Sequence, residues 1–68
     1  MQTKHNLHIT PRDRLLFAWE TSMTLVRTYQ AYADETAEDE KATAFFRELA
    51  ETECQNASRL LALIHERD

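Results

Sequence analysis

Residues 42–63 read ATAFFRELAETECQNASRLLAL, and they decide the fold that the sequence predicts. One set of positions in this stretch recurs at alternating intervals of four and three residues, which places its members on one face of an α-helix. The set is Ala42, Phe46, Leu49, Glu53, Asn56, Leu60 and Leu63. Glu53 and Asn56 interrupt an otherwise apolar face. Burying an ionised carboxylate is costly, so proteins pair such a group or place it on a metal ion.

A second apolar stripe lies in the N-terminal half of the chain. Residues 10–13, TPRD, are typical of a helix start, because threonine caps, proline is tolerated in the first turn and an acidic residue follows. The apolar positions beyond this start recur at helical spacing. They are Leu15, Trp19, Ser22, Val26, Tyr29 and Ala33, widened by Leu16 and Met23. The pattern predicts a helix over residues 11–34.

The segment between the two stripes, residues 34–41 (DETAEDEK), has no apolar residue larger than alanine. Within it, residues 36–39 (TAED) repeat the capping pattern, so a second helix is predicted over residues 37–65. One continuous helix remains an alternative, since the chain has no glycine and its single proline is Pro11. The lapse of the apolar pattern and the second cap favour an antiparallel hairpin over residues 10–68. Residues 1–9 show no periodicity and are predicted to form a flexible tail.

An all-α hairpin has only one seam, so part of each apolar face would stay in contact with water. Five large apolar side chains are too many to leave exposed: Trp19, Phe45, Phe46, Leu60 and Leu61. The sequence therefore predicts a homo-oligomer, most simply a dimer of two hairpins that forms a four-helix bundle.

Composition narrows the classes of function. The 68 residues allow one small domain, with 43% hydrophobic residues and a formal net charge of −4. Lysine and arginine form no cluster, which argues against nucleic acid or an anionic membrane as a partner. Residues 1–9 lack the apolar segment of a signal peptide and no apolar run is long enough to cross a bilayer, so a cytoplasmic protein is predicted. Cys54 is the only cysteine, which excludes an internal disulfide and a Cys-x-x-Cys motif.

Glu20 is the candidate partner of Glu53 on the first helix. It lies on the polar flank of the first stripe, near Arg27, where a glutamate is commonly solvated or neutralised by the neighbouring arginine. A hairpin that turns near residue 35 brings position 20 level with positions 50–53. Each helix would then supply one carboxylate at a matching depth.

Residues 15–64 resemble the first helical pair of the rubrerythrins, within the ferritin-like superfamily. In that family one helix carries a ligand glutamate followed by tyrosines, and the next helix carries Phe…Ala…Glu-x-x-His-Ala…Leu. The corresponding residues here are Glu20, Tyr29, Tyr32, Phe46, Ala50, Glu53, Asn56, Ala57 and Leu60. The interval from Glu20 to Asn56 is 36 residues, as in the family pattern, and the resemblance covers about 50 of the 68 residues.

The resemblance implies a pair of divalent ions, iron or manganese, held across a dimer by Glu20, Glu53 and Asn56, with iron oxidation or peroxide handling as the activity. The chain departs from the family in two respects: it has one helix pair instead of two, and Asn56 replaces the ligand histidine. Loss of the imidazole shifts the expected preference toward harder ions such as manganese. The alternative is a metal-free oligomerisation module in which Glu53 and Asn56 form a buried polar layer. Whether the chain is an enzyme stays open at this point.

Overall fold

The computed structural model describes residues 8–67, which form two α-helices and no strand. The first helix, α1, spans Pro11–Glu35, and the second, α2, spans Glu40–Glu66. They pack against each other along their length, so the predicted all-α hairpin is confirmed and the continuous helix is excluded. The predicted tail, residues 1–9, lies outside the described residues except for positions 8 and 9.

The start of α1 is the capping box that the sequence predicts. The Thr10 hydroxyl oxygen accepts a hydrogen bond from the Asp13 backbone N–H, and Asp13 Oδ2 accepts one from the Thr10 N–H, both at 3.1 Å. Pro11 occupies the first turn, where its missing N–H costs no helical hydrogen bond. The bonds from the backbone and then the side chain of Thr10 lower the pKa of Asp13, because they favour the ionised carboxylate.

Acidification is expected to loosen this first turn. A carboxyl group whose pKa is lowered by folding contributes stability above its unfolded pKa and loses that contribution as the pH falls through the folded value. Backbone NMR shifts of residues 10–14 should therefore move toward unfolded values between about pH 5 and pH 2, a range that spans the ordinary aspartate pKa of about 3.9. The Asp13→Asn variant should show no such titration, and an identical titration in that variant would refute the assignment.

Two residues of the turn cap the helices: Thr36 caps the C-terminus of α1, and Asp39 caps the N-terminus of α2. Thr36 ends α1: its backbone N–H and its hydroxyl donate to the Tyr32 carbonyl oxygen at 3.0 and 2.8 Å. Asp39 starts α2 by accepting a hydrogen bond from the Ala42 N–H at 3.1 Å. The second helix therefore begins at Glu40, three residues later than predicted, because the threonine read as its cap serves the preceding helix.

Thr43 ties the first turn of α2 to the end of α1. Its hydroxyl oxygen lies 2.6 Å from the Thr36 carbonyl oxygen, 3.3 Å from the Ala33 carbonyl oxygen and 3.2 Å from the Thr36 hydroxyl oxygen. Carbonyl groups at a helix C-terminus have no intrahelical partner, so these contacts satisfy groups that would otherwise need water. Threonine hydroxyls thus close a turn that contains no glycine.

Most of the buried side chains in the seam between the helices are small. The buried residues are Ser22 and Ala33 on α1 and Ala50, Ala57 and Ile64 on α2. Both α1 residues belong to the stripe predicted for that helix. The three α2 residues recur every seven positions and form one column along the helix.

This column corrects the stripe predicted for α2. The predicted positions 49, 56 and 63 each lie one residue before a buried position, and Leu63 is 41% exposed. The seam uses the alanine column because small side chains let two helix backbones approach closely, whereas bulky leucines would hold them apart. The predicted positions Phe46, Glu53 and Leu60 stay half-buried beside this column, whereas Leu49, Asn56 and Leu63 are rotated further from the seam.

Candidate functional site

The large apolar side chains of the hairpin lie mainly beside the seam. Among residues 8–67 no large side chain is fully buried, and Phe45 is 56% exposed. The exposed large apolar residues are Ile9, Phe17, Tyr32, Phe45, Leu61 and Leu63. A single hairpin therefore leaves its hydrophobic core incomplete.

Most of the apolar residues of α2 share one side of that helix. At about 100° per residue, Phe46 and Glu53 are rotated about 40–60° from buried Ala50 around the axis of α2. Leu49 and Leu63 are rotated about 100–140° from Ala50 in the same direction. We call this side the apolar face. Its members are Phe45, Phe46, Leu49, Glu53, Asn56, Leu60 and Leu63.

Aromatic contacts connect the apolar face to α1. The Phe46 ring meets the Tyr32 ring edge-on at a centroid distance of 5.3 Å and stacks on the Tyr29 ring at 6.3 Å. The Phe45 ring lies 6.4 Å from that of Phe46. Tyr32 is exposed, so α1 contributes to the border of the apolar face near the turn. Such pairs add about 0.5–1.5 kcal/mol beyond the area they bury.

On the other side of the seam, α2 is polar. A shallow groove of about 510 Å³ runs there, lined by Val26, Gln30, Ala33, Asp34, Arg47, Ala50, Glu51 and Cys54. Arg47, Glu51 and Cys54 lie about 40–100° from Ala50 in the sense opposite to the apolar face. The two sides of α2 thus differ in character, since one is apolar and the other carries charged groups.

Glu53 and Asn56 are half-buried on the apolar face. Glu53 borders the seam, three residues after Ala50. Asn56 lines a depression of about 350 Å³ together with Ser22, Arg59, Leu60 and Leu63. Arg59 was not among the predicted site residues, although its spacing of three residues from Asn56 places both side chains on neighbouring parts of one helix surface.

Glu20 lies on the outer side of α1. Ser22 is buried against α2, and the two-residue step from Glu20 to Ser22 corresponds to about 200° of helical rotation, so Glu20 points away from α2. It is exposed and lines a depression formed with Thr21, Thr24 and Leu25, all on α1. One hairpin therefore does not bring Glu20 and Glu53 together.

The register of the helices also differs from the one predicted. In the contacting pairs Ala33–Thr43 and Tyr29–Phe46, the two residue numbers add to about 76. Position 20 is accordingly level with about position 56, roughly one helical turn beyond the predicted positions 50–53. Within residues 8–67, no group of three or more histidine, cysteine, aspartate or glutamate side chains is placed to hold a metal ion.

No protein-family model matches the chain, and no curated protein or solved structure matches it. The resemblance to the rubrerythrins accordingly stays a prediction drawn from the residues alone. Between residues 8 and 67, neither helix has the length and apolar character needed to cross a membrane. The apolar face, with its two polar residues, is the feature that the function must account for.

Proposed function

We propose that the chain is a helical self-assembly module, in which the apolar faces of two hairpins pack together into a four-helix bundle. The observation that carries the proposal is that large apolar side chains lie exposed beside the seam and not within it. The side chains buried in the seam are mostly small, while Phe45 and Leu63 are 56% and 41% exposed. A hairpin of this size buries little apolar area, so covering the apolar face supplies stability that one chain lacks.

The choice of face follows from the cost of desolvation. The polar groove carries Asp34, Arg47 and Glu51. The free energy needed to desolvate these charges would exceed the free energy gained from the contact unless each charge was paired. Cores of protein interfaces are depleted in such residues and enriched in aromatic ones. The apolar face carries one acidic group, Glu53, beside Phe45 and Phe46. Pairing through this face is therefore the less costly arrangement.

In this proposal Glu53 and Asn56 form a polar layer within the assembly. A single polar layer in an apolar helix interface specifies register and the number of chains, at some cost in stability. Both residues are already half-buried by the hairpin, so association would complete their removal from water. Each then requires a hydrogen-bond partner from the second chain.

A second candidate function is divalent metal binding across the dimer, and it is favoured by the position of Glu53 and Asn56 on one face. Two chains would bring two carboxylates and two amide oxygens together, and such hard oxygen ligands suit manganese or magnesium. The dinuclear iron site that the rubrerythrin resemblance implies fits less well. Glu20 points away from α2, and a position equivalent to the ligand histidine is occupied by Asn56. No step of iron or peroxide chemistry follows from this arrangement.

Native mass spectrometry of tag-free protein, purified without chelator, tests both candidates. We expect a dimer, or a multiple of one, without stoichiometric metal. A monomeric mass across a concentration series would overturn self-assembly. About two manganese or iron ions per dimer, absent from the Glu53→Gln variant, would instead establish the metal site. A metal content unchanged by Glu53→Gln would rule out that site as its location.

A further inference from the structure

We propose that the two hairpins pair antiparallel through α2, so that Glu53 of each copy lies opposite Asn56 of the other. This inference rests on the proposed self-assembly and specifies its geometry. Six positions are spaced by three, four, three, four and three residues: Phe46, Leu49, Glu53, Asn56, Leu60 and Leu63.

That spacing reads the same in both directions, and its midpoint falls between Glu53 and Asn56. If a second α2 runs in the opposite direction across this midpoint, Phe46 lies opposite Leu63 of the second copy and Leu49 lies opposite Leu60. Apolar residues then meet apolar residues along the whole face. The polar pair meets the polar pair, and two-fold symmetry makes each contact twice.

A parallel pairing matches the apolar residues equally well, so the polar pair decides the direction. In a parallel dimer each residue faces its own copy, and the two Glu53 carboxylates come together. Carboxylates that are level with each other repel most strongly and destabilise the ionised dimer, whereas the antiparallel pairing offsets the two Glu53 side chains by about 4–5 Å along the axis. In the antiparallel dimer the Asn56 amide N–H groups can donate to the Glu53 carboxylate of the other copy.

Arg59 adds charge complementarity to the antiparallel arrangement. It borders the same depression as Asn56, at the edge of the apolar face. At 1.5 Å per residue, Arg59 of the second copy is displaced from Glu53 by about 4–5 Å along the axis in the antiparallel dimer and by about 9 Å in the parallel one. The shorter offset is within reach of an arginine side chain, and a hydrogen bond between guanidinium and carboxylate is charge-assisted.

The two orientations place the turns differently. α2 has 27 residues and is therefore about 40 Å long. In the antiparallel dimer the turns lie at opposite ends, separated by at least about 40 Å, the length of α2. In the parallel dimer both turns lie at one end, within about 25 Å of each other, since two helix diameters span that distance.

Pulsed electron–electron double resonance between nitroxide labels measures the distance between the two turns, which differs between the two orientations. Ala37 is exposed within the turn and Cys54 is the only cysteine, so the orientation probe is Ala37→Cys in a Cys54→Ser background. The matched control is the native chain labelled at Cys54. Cys54 is exposed, lies outside the apolar face and sits within one residue of the midpoint, so its distance is short in either orientation.

Antiparallel pairing predicts a distance of about 40 Å or more between the two Ala37→Cys labels. Between the two Cys54 labels it predicts less than about 30 Å, the width of a bundle plus two label arms. A short distance from both labels would overturn the antiparallel pairing while leaving the self-assembly intact. An absence of any dipolar signal from the Cys54 label, together with a monomeric mass, would overturn the proposed function itself.

Discussion

A glutamate at position 63 is expected to separate the self-assembled protein into single chains. Leu63 is 41% exposed in the hairpin, so its replacement leaves the α1–α2 seam unaltered, but pairing would bury it on the apolar face. An unpaired carboxylate that pairing would bury against Phe46 of the second chain costs about 2 kcal/mol or more. Since a dimer contains two copies, the loss is about 4 kcal/mol, which is roughly a thousandfold increase in Kd.

Sedimentation equilibrium of Leu63→Glu against wild type measures this change, and Ala62→Glu is the matched control. Ala62 is also exposed and belongs to the same turn of α2, so both variants place a new carboxylate equally close to the helix C-terminus. It lies two residues before buried Ile64, about 160° around the helix, and therefore faces solvent. Equal dissociation by both glutamates would show that net charge, and not the apolar face, controls association.

Leucine at position 57 is expected to destabilise the hairpin itself. Ala57 is 4% exposed in the seam, where small side chains let α1 and α2 approach closely. Extra methylene groups in such a site force the helices apart or strain the side chain, at about 1–3 kcal/mol. For a domain of this length each kcal/mol lowers Tm by about 4–8 °C, so a drop of about 5–20 °C is expected at fixed protein concentration.

Thermal unfolding followed by circular dichroism tests this expectation, with Ser58→Leu as the control. Ser58 is exposed and adjacent, so the same leucine there should change stability by about 0.5 kcal/mol or less. If Ala57→Leu melts at or above the wild-type temperature, the seam is not closely packed at Ala57. A change of equal size in both variants would point to a general effect of leucine on α2.

The start of α1 could be predicted because it is a local feature. The Thr10 and Asp13 groups that cap the helix are three residues apart and need no other part of the chain. The turn was misplaced by three residues because Thr36 and Asp39 are both capping residues. Thr36 serves α1 by donating to the Tyr32 carbonyl oxygen, and Asp39 serves α2 by accepting from the Ala42 N–H. The Thr43 hydroxyl joins these two ends only after the hairpin has closed.

The candidate site also depended on contacts between the helices that the sequence pattern does not give. Periodicity located Glu53 and Asn56 on a broad apolar side of α2, yet it did not reveal which part of that side α1 covers. The Ala50 and Ala57 column was overlooked because alanine carries little apolar area, although its small size is the reason that α1 packs there. Because α1 packs on this alanine column, Glu53 lies at the border of the seam.

The sequence by itself determined that the chain forms two amphipathic helices, since helical spacing and the first capping box depend only on near neighbours along the chain. Tertiary structure alone decided how each helix is rotated about its axis, because that rotation depends on which side chains allow the closest packing between helices. The rotation turns Glu20 outward and buries Ser22. It leaves Phe45 and Leu63 exposed on the apolar face, where a second chain can cover them.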